Sequence, residues 1–389
     1  ATVFGPHRVS RPPWQQGIRY RIEARLDEDR EILSARAQIR YENASPDTLT
    51  DFYFHLYLNA FRPNSAWARH DLDRGIRTFQ DLGPSEHGFE RVAGMRVDGT
   101  AVSVLYPYAP DSTILKLELP RPLPPGGAIT LEYDWEARPS SVARRQGRRG
   151  RHYDFAQWYP RVVAYDLEGW AHHPLYRAGE FYGDFATYDV TFELKEDQVV
   201  GSTGVPLEGD PGWEGAAAPG TGPIRYQREF YGPRGGAPCV QGPAGEVVCG
   251  VPAQEEGPPA RHPLGLLEPA PGTGWKQVRF FARDVHHFAW STSPDYTYEH
   301  GSFGDVAIHV LYQPGDEESW GNGIAVQRTA TALEWLDWVF GPYLYPQVTN
   351  VHRIEGGGTE FPMMVMDGSA SLSLIIHEVG HIYAMGMLA

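Results

Sequence analysis

From Ile18 to Leu26 apolar and polar residues alternate, which puts Ile18, Tyr20, Ile22, Ala24 and Leu26 on one face of a strand. The same period recurs over Ile32–Tyr41, Phe52–Leu58, Thr113–Leu119, Ile129–Trp135 and Tyr188–Leu194. Turn-forming clusters such as Asn43-Ala44-Ser45-Pro46-Asp47 and Pro124-Pro125-Gly126-Gly127 separate these runs. Many short alternating strands, with no strong helical period between them, predict a β-sandwich or saddle-shaped sheet domain.

The pattern breaks between Gly204 and Gly274, where Gly and Pro dominate. This stretch reads as an insertion of long loops. Strand character returns at Val278–Ala282, followed by His286-His287. Adjacent histidines point to opposite sides, so these two read as structural or solvent-facing rather than as paired metal ligands. Helical periodicity is clear from Ser319 to Phe340. Ile324, Thr331, Trp335 and Trp338 lie near one face, and Leu333, Leu336, Val339 and Phe340 widen it. Gly341-Pro342 ends this helix. Gln347–Ile354 is strand-like, Glu355–Gly358 is a tight glycine turn, and Phe361–Met366 is a second strand. Ser369 and Ser371 are candidate N-caps of a last helix, which runs without proline from Leu372 to Leu388.

At 389 residues the chain is long enough for two or three domains with real cores. Its net charge of −15 argues against generic nucleic-acid binding and against adhesion to anionic membranes. No apolar run approaches the roughly 20 residues of a membrane-spanning helix. The basic run Arg144–Arg151 reads as a solvated, flexible loop in so acidic a chain. Cys239 and Cys249 flank Gly-Pro-Ala-Gly, as in a hairpin. They are either a disulfide or two unpaired thiols. A disulfide, with an opening Ala in place of Met, points to a periplasmic or secreted protein; the alternative is cytoplasmic.

Candidate chemistry sits on the last helix, in His377-Glu378-Val379-Gly380-His381. This is an H-E-x-x-H pattern. On a helix the two histidines share one face and can bind Zn²⁺, while Glu378 can act as general base on the zinc-bound water. Helix, strand, turn, strand and zinc helix follow in the order of a zinc-protease catalytic domain.

The run from Phe340 to Met366, followed by His377–His381, resembles the aminopeptidase-N-like gluzincin family of zinc aminopeptidases. The family's G-x-M-E-N motif matches Gly357-Gly358-Thr359-Glu360-Phe361, with Thr in place of Met and Phe in place of Asn. The resemblance implies that Glu360, with Gly357 and Gly358, binds the free amino group of a peptide substrate. Phe155–Pro160 resembles the segment that carries the family's substrate-contacting Gln, here Gln157. The likeness is loose before residue 278 and tight after residue 340. It implies a mixed β and α+β fold. A saddle-like β-sandwich domain would span 1–298, with its insertion at about 204–274, and the start of a thermolysin-like catalytic domain would span 299–389. In the family the third zinc ligand is a Glu after 18 intervening residues, which counted from His381 falls at position 400, eleven beyond Ala389. The site would then be completed by a missing C-terminal region or by a second chain. The expected function is zinc-dependent removal of N-terminal residues from peptides. A thermolysin-type endopeptidase fits less well, because a carboxylate in the cleft disfavours internal peptide bonds. A non-catalytic binding or assembly module that retains the fold is the rival from another class.

Overall fold

The computed structural model describes residues 14–178, 181–213, 240–241, 247–248, 259–267 and 274–388. The chain adopts the expected fold class, a sandwich-like β region followed by a mixed sheet with helices. An eight-stranded sheet dominates the first part. Its strands run in the order Val205–Glu208, Trp275–Val285, Ala186–Lys195, Gly17–Asp27, Ile32–Glu42, Ala128–Arg138, Phe89–Val97 and Thr100–Ala101. Neighbours are antiparallel except Gly17–Asp27 and Ala186–Lys195, which run parallel.

The period of two has a direct consequence here. Ile18, Tyr20, Ile22, Ala24 and Leu26 are all buried, as are Leu33, Ala35, Ala37, Ile39 and Tyr41 on the next strand. Two four-stranded sheets contribute to the same core. One contains Leu49–His55 and Ile114–Leu123; the other contains Gly147–Arg149, His152–Phe155, Val199–Ser202 and Trp290–Ser293. Large aromatics fill the space between the layers. Tyr20 stacks on Tyr188 at 4.6 Å, and Trp290 lies 4.2 Å from Phe192 between ring centres. Such pairs add about 0.5–1.5 kcal/mol each beyond the area they bury.

The second part is a five-stranded sheet in the order Thr297–Phe303, Val306–Tyr312, Gln347–His352, Met364–Asp367 and Glu360–Phe361. The central strand Gln347–His352 is parallel to both of its neighbours, and both edge strands pair antiparallel. The described helices are α1 (Ala66–Asp73), α2 (Ile324–Phe340) and α3 (Leu372–Leu388). Helices α2 and α3 pack together, and α3 lies against the Glu360–Phe361 and Met364–Asp367 strands.

Several expectations need correction. The buried residues of α2 are Ala325, Thr329, Ala332, Leu333 and Leu336, whereas Trp335 and Trp338 are exposed. Small residues let the helix approach its neighbours closely, which indole rings would prevent. The basic run is no simple solvated loop. Gly147–Arg149 is a strand paired with His152–Phe155, Arg148 is buried against Glu31 at 3.1 Å, and Arg151 holds Asp197 at 2.7 Å. Val205–Glu208 belongs to the large sheet, so the loop character expected from Gly204 begins later. Within that stretch the N–H groups of Leu264 and Leu266 each donate to the Glu23 carboxylate at 2.8 Å. His286 and His287 are both buried, which excludes the solvent-facing alternative, and burial together with the nearby Arg161 charge lowers both imidazole pKa values. Val240–Gln241 and Val247–Val248 pair as an antiparallel hairpin. Cys239 and Cys249 lie outside the described residues.

The two parts of the chain meet at Gly201. A β-carbon there would lie 2.6 Å from Val351 Cγ2 and 3.3 Å from Leu311 Cδ1. Overpacking of this kind costs about 1–3 kcal/mol. Gly201→Ala is therefore expected to lower the unfolding free energy by about that amount. Chemical denaturation of the variant and the parent checks it, and an unchanged midpoint would contradict the close contact.

Candidate active site

Helix α3 begins where the Ser371 hydroxyl accepts from the Leu374 N–H at 3.3 Å. A cap of this kind contributes about 1 kcal/mol. The helix gives the His377 and His381 side chains a common face. Their Nε2 atoms lie 3.1 Å apart with ring planes at 89°. Two imidazole nitrogens on a tetrahedral zinc, each at about 2.0–2.1 Å, lie about 3.3 Å from one another. The pair therefore has the spacing that a shared Zn²⁺ requires. His377, Glu378 and His381 are the one cluster of potential ligand atoms found among the described residues, all within 4.8 Å.

Glu378, whose carboxylate lies with the two imidazoles in this cluster, is only 4% exposed. Burial raises its carboxyl to about 7, with the negative charge of Glu360 adding to the rise; His377, Arg353 and Arg145 act against it. The glycine turn packs directly on this side chain. A β-carbon on Gly358 would fall 2.0 Å from Glu378 Oε1 and 2.3 Å from its Cδ. Gly357 has φ +78°, the left-handed region that glycine enters without strain. Thr359 then pairs with Met366 in both directions, Thr359 N–H to Met366 O at 3.0 Å and Met366 N–H to Thr359 O at 2.9 Å. Glu360 and Phe361 continue the pairing opposite Val365 and Met364. The strand expected over Phe361–Met366 is thus a short hairpin, reversed at Met363 with φ 65°.

The hairpin puts Glu360 beside the helix. It is 8% exposed, and its Oε1 lies 4.0 Å from His381 Nδ1. The structure therefore brings together His377, His381, Glu378, Glu360 and Gly358. Gln157 sits on a separate turn, with φ 55° and 4% exposure. Neither atom of its amide has a hydrogen-bond partner among the described residues. Its neighbour Ala156 shares a buried cluster with Phe361, which follows Glu360. Tyr383, on the same helix, is buried and donates to the Asp337 carboxylate of α2.

Three residues around the site carry no sequence signal. Arg353 is 7% exposed and threads the glycine turn: Nε donates to Glu355 O at 3.0 Å, and the other nitrogens donate to Gly356 O and Thr359 Oγ1. Asp367 is fully buried; burial pushes its carboxyl well above the usual range, and the Glu378 charge adds to this. Asp154 accepts from the Ile354 N–H at 2.8 Å, just ahead of the turn. Arg353 and Asp154 act through fold contacts that no motif encodes.

No family model matches the sequence. No curated protein matches it by sequence. Solved structures match by fold. The M1 zinc metallopeptidase of Deinococcus radiodurans superimposes with a TM-score of 0.53 at 12% identity, covering 95% of this chain and 64% of that one. A glutamate-to-alanine mutant of the same enzyme gives a TM-score of 0.53 at 13% identity with the same coverage, 95% and 64%. That mutant bound to a Tyr-Ser-Ala substrate gives 0.52 at 12% identity, again over 95% and 64%. The chain thus spans 64% of the length of these structures, and its fold is similar to theirs.

Proposed function

We propose that this chain forms part of a zinc-dependent aminopeptidase that removes N-terminal residues from peptides. The observation that carries the reading is Glu360, a buried-edge carboxylate 4.0 Å from His381, set beside two imidazoles at metal-sharing distance. His377 and His381 would hold the zinc. A bound zinc supplies Lewis acidity and brings water within reach of ionisation near roughly pH 7. Glu378 takes the proton of the attacking water as general base and later delivers it to the leaving amine. Glu360 would hold the substrate ammonium group by charge and hydrogen bonding, and so orient the first peptide bond toward Glu378 and the two imidazoles. Gly357 and Gly358 leave room for that arrangement, and Gln157 offers an amide to the substrate terminus. Catalytic zinc sites use three protein ligands. The third would come from a segment beyond residue 389 or from a second chain. We take residues 1–298 as the β-rich domain and 299–389 as the start of the catalytic domain. A Cys239–Cys249 disulfide would go with a periplasmic or secreted location. No described helix is long and apolar enough to cross a membrane.

Two experiments test this reading. Zinc at about 100 times its dissociation constant should stabilise the parent protein by about 2.7 kcal/mol. His377→Ala should abolish that gain in a thermal or denaturant titration, and a gain that survives the substitution would rule out the assigned ligand. The second compares hydrolysis of a free aminoacyl anilide with its N-acetyl form by the zinc-loaded full-length protein. Free substrate should be cleaved and acetylated substrate spared. Glu378→Gln should remove about 10²–10⁴-fold of the rate, the scale of general base catalysis. Equal cleavage of both substrates would remove the amino-group role of Glu360. Zinc binding without any hydrolysis would favour the non-catalytic module.

A further inference from the structure

The glycine turn before Glu360 is gripped from outside its own sheet. The Ile354 N–H donates to Asp154 Oδ2 at 2.8 Å. One residue on, the Glu355 carboxylate accepts from the Arg145 backbone N–H at 2.9 Å and from Arg144 Nη1 at 3.1 Å. Both grips come from the stretch 144–154, which belongs to the sandwich region. They fall on the two residues directly ahead of Gly356-Gly357-Gly358.

Asp154 is itself locked. It is 3% exposed, and its other oxygen accepts from Ser291 Oγ at 2.7 Å and lies 3.1 Å from His152 Nε2. Tyr296 OH sits 2.8 Å from both His152 Nε2 and Ser291 Oγ, and donates to His352 O at 3.0 Å. Gln313 Nε2 lies 3.2 Å from His152 Nδ1. Ser291, His152 and Asp154 are not a nucleophilic triad. Ser291 is fully buried and bonds directly to Asp154, whereas a triad places the acid and the hydroxyl on opposite nitrogens of the ring. The network, buried at Asp154, Ser291 and Tyr296, bridges the strand His152–Phe155 and the strand Gln347–His352.

We propose that Asp154, together with the Arg144–Glu355–Arg145 contact, positions the glycine turn and thereby fixes Glu360 relative to His381. Asp154 is a positioning residue, touching neither metal nor substrate. The chain of contact is short. Asp154 holds Ile354, Arg353 braces Glu355, Gly356 and Thr359 from inside the turn, and Gly358 abuts Glu378. A loosened turn would let Glu360 move without any change in the zinc ligands.

The effect on substrate rests on the aminopeptidase reading, while the effect on the turn rests on the fold alone, so two readouts separate them. Amide hydrogen exchange compares the full-length protein with Asp154→Asn. Exchange over Ile354–Gly358 should quicken about tenfold, the scale of one charge-assisted hydrogen bond, with the Gly17–Asp27 strand unchanged. Unchanged exchange over the turn overturns the proposal. In the second readout KM for a free aminoacyl anilide should rise about tenfold with kcat within about threefold, because the metal and Glu378 are untouched. Faster exchange with an unaltered KM also overturns it. Should the parent protein hydrolyse nothing, the aminopeptidase reading fails and the exchange measurement still decides whether the turn is held from the sandwich. Should Asp154→Asn fail to fold, Glu355→Ala removes the second grip at a partly exposed position and is read in the same two ways.

Discussion

Glu378 and Gly358 occupy adjoining space so closely that no side chain fits between them. The rest of the site depends on this contact. It brings the edge of the five-stranded sheet against the Glu378 side chain of helix α3. Two residues on from Gly358 in an extended segment, Glu360 returns to the same side and so also faces the helix. One close approach therefore fixes two carboxylates relative to one pair of imidazoles. A glycine is needed there for contact rather than for backbone freedom, whereas Gly357 is needed for its positive φ.

The contact is held from both sides. Behind the helix, Val379, Ile375 and Ile382 are buried in the main core, so the face that carries the histidines cannot rotate independently. On the sheet side, the turn has little hydrophobic anchorage of its own and relies on polar contacts instead. Arg353 fills it, and groups of the sandwich region meet its first residues. Apolar packing places the helix and directional hydrogen bonds place the turn. This division is physically sensible, because hydrogen bonds fix direction where packing fixes only distance.

Local patterns were legible in the sequence and long-range ones were not. Alternation from Ile18 to Leu26 predicts a strand because neighbouring residues decide which face is apolar, and the buried set is the one expected. The shared face of His377 and His381 follows from helix geometry in the same way. Glu360 became readable only through resemblance, since its spacing from His381 passes through a hairpin reversal at Met363. Hydrophobicity alone favours Trp335 and Trp338 for the buried face of α2, whereas close packing selects Ala325 and Ala332. The basic run was misread because its partners Glu31, Glu28, Asp197 and Glu355 converge only in the fold. Nothing near Asp154 or Arg353 in the sequence announces that they meet the same turn.

Electrostatics in this corner bear on which kind of protein the chain belongs to. Glu378, Glu360 and Asp367 are all at least nine-tenths buried. Mutual repulsion adds to desolvation at Glu378 and at Asp367, and Arg353 offsets only part of it. Burying like charges together opposes folding. Apolar residues of similar volume would serve a purely structural corner better, as replacements of buried ionic groups often do. A divalent cation held by the imidazoles would reverse the local sign, turning the neighbouring negative charge from a liability into an attraction. The arrangement is thus costly for a purely structural corner and compatible with the proposed metal site. Burial and charge on one side, and the imidazole spacing on the other, are both compatible with the proposed metal site.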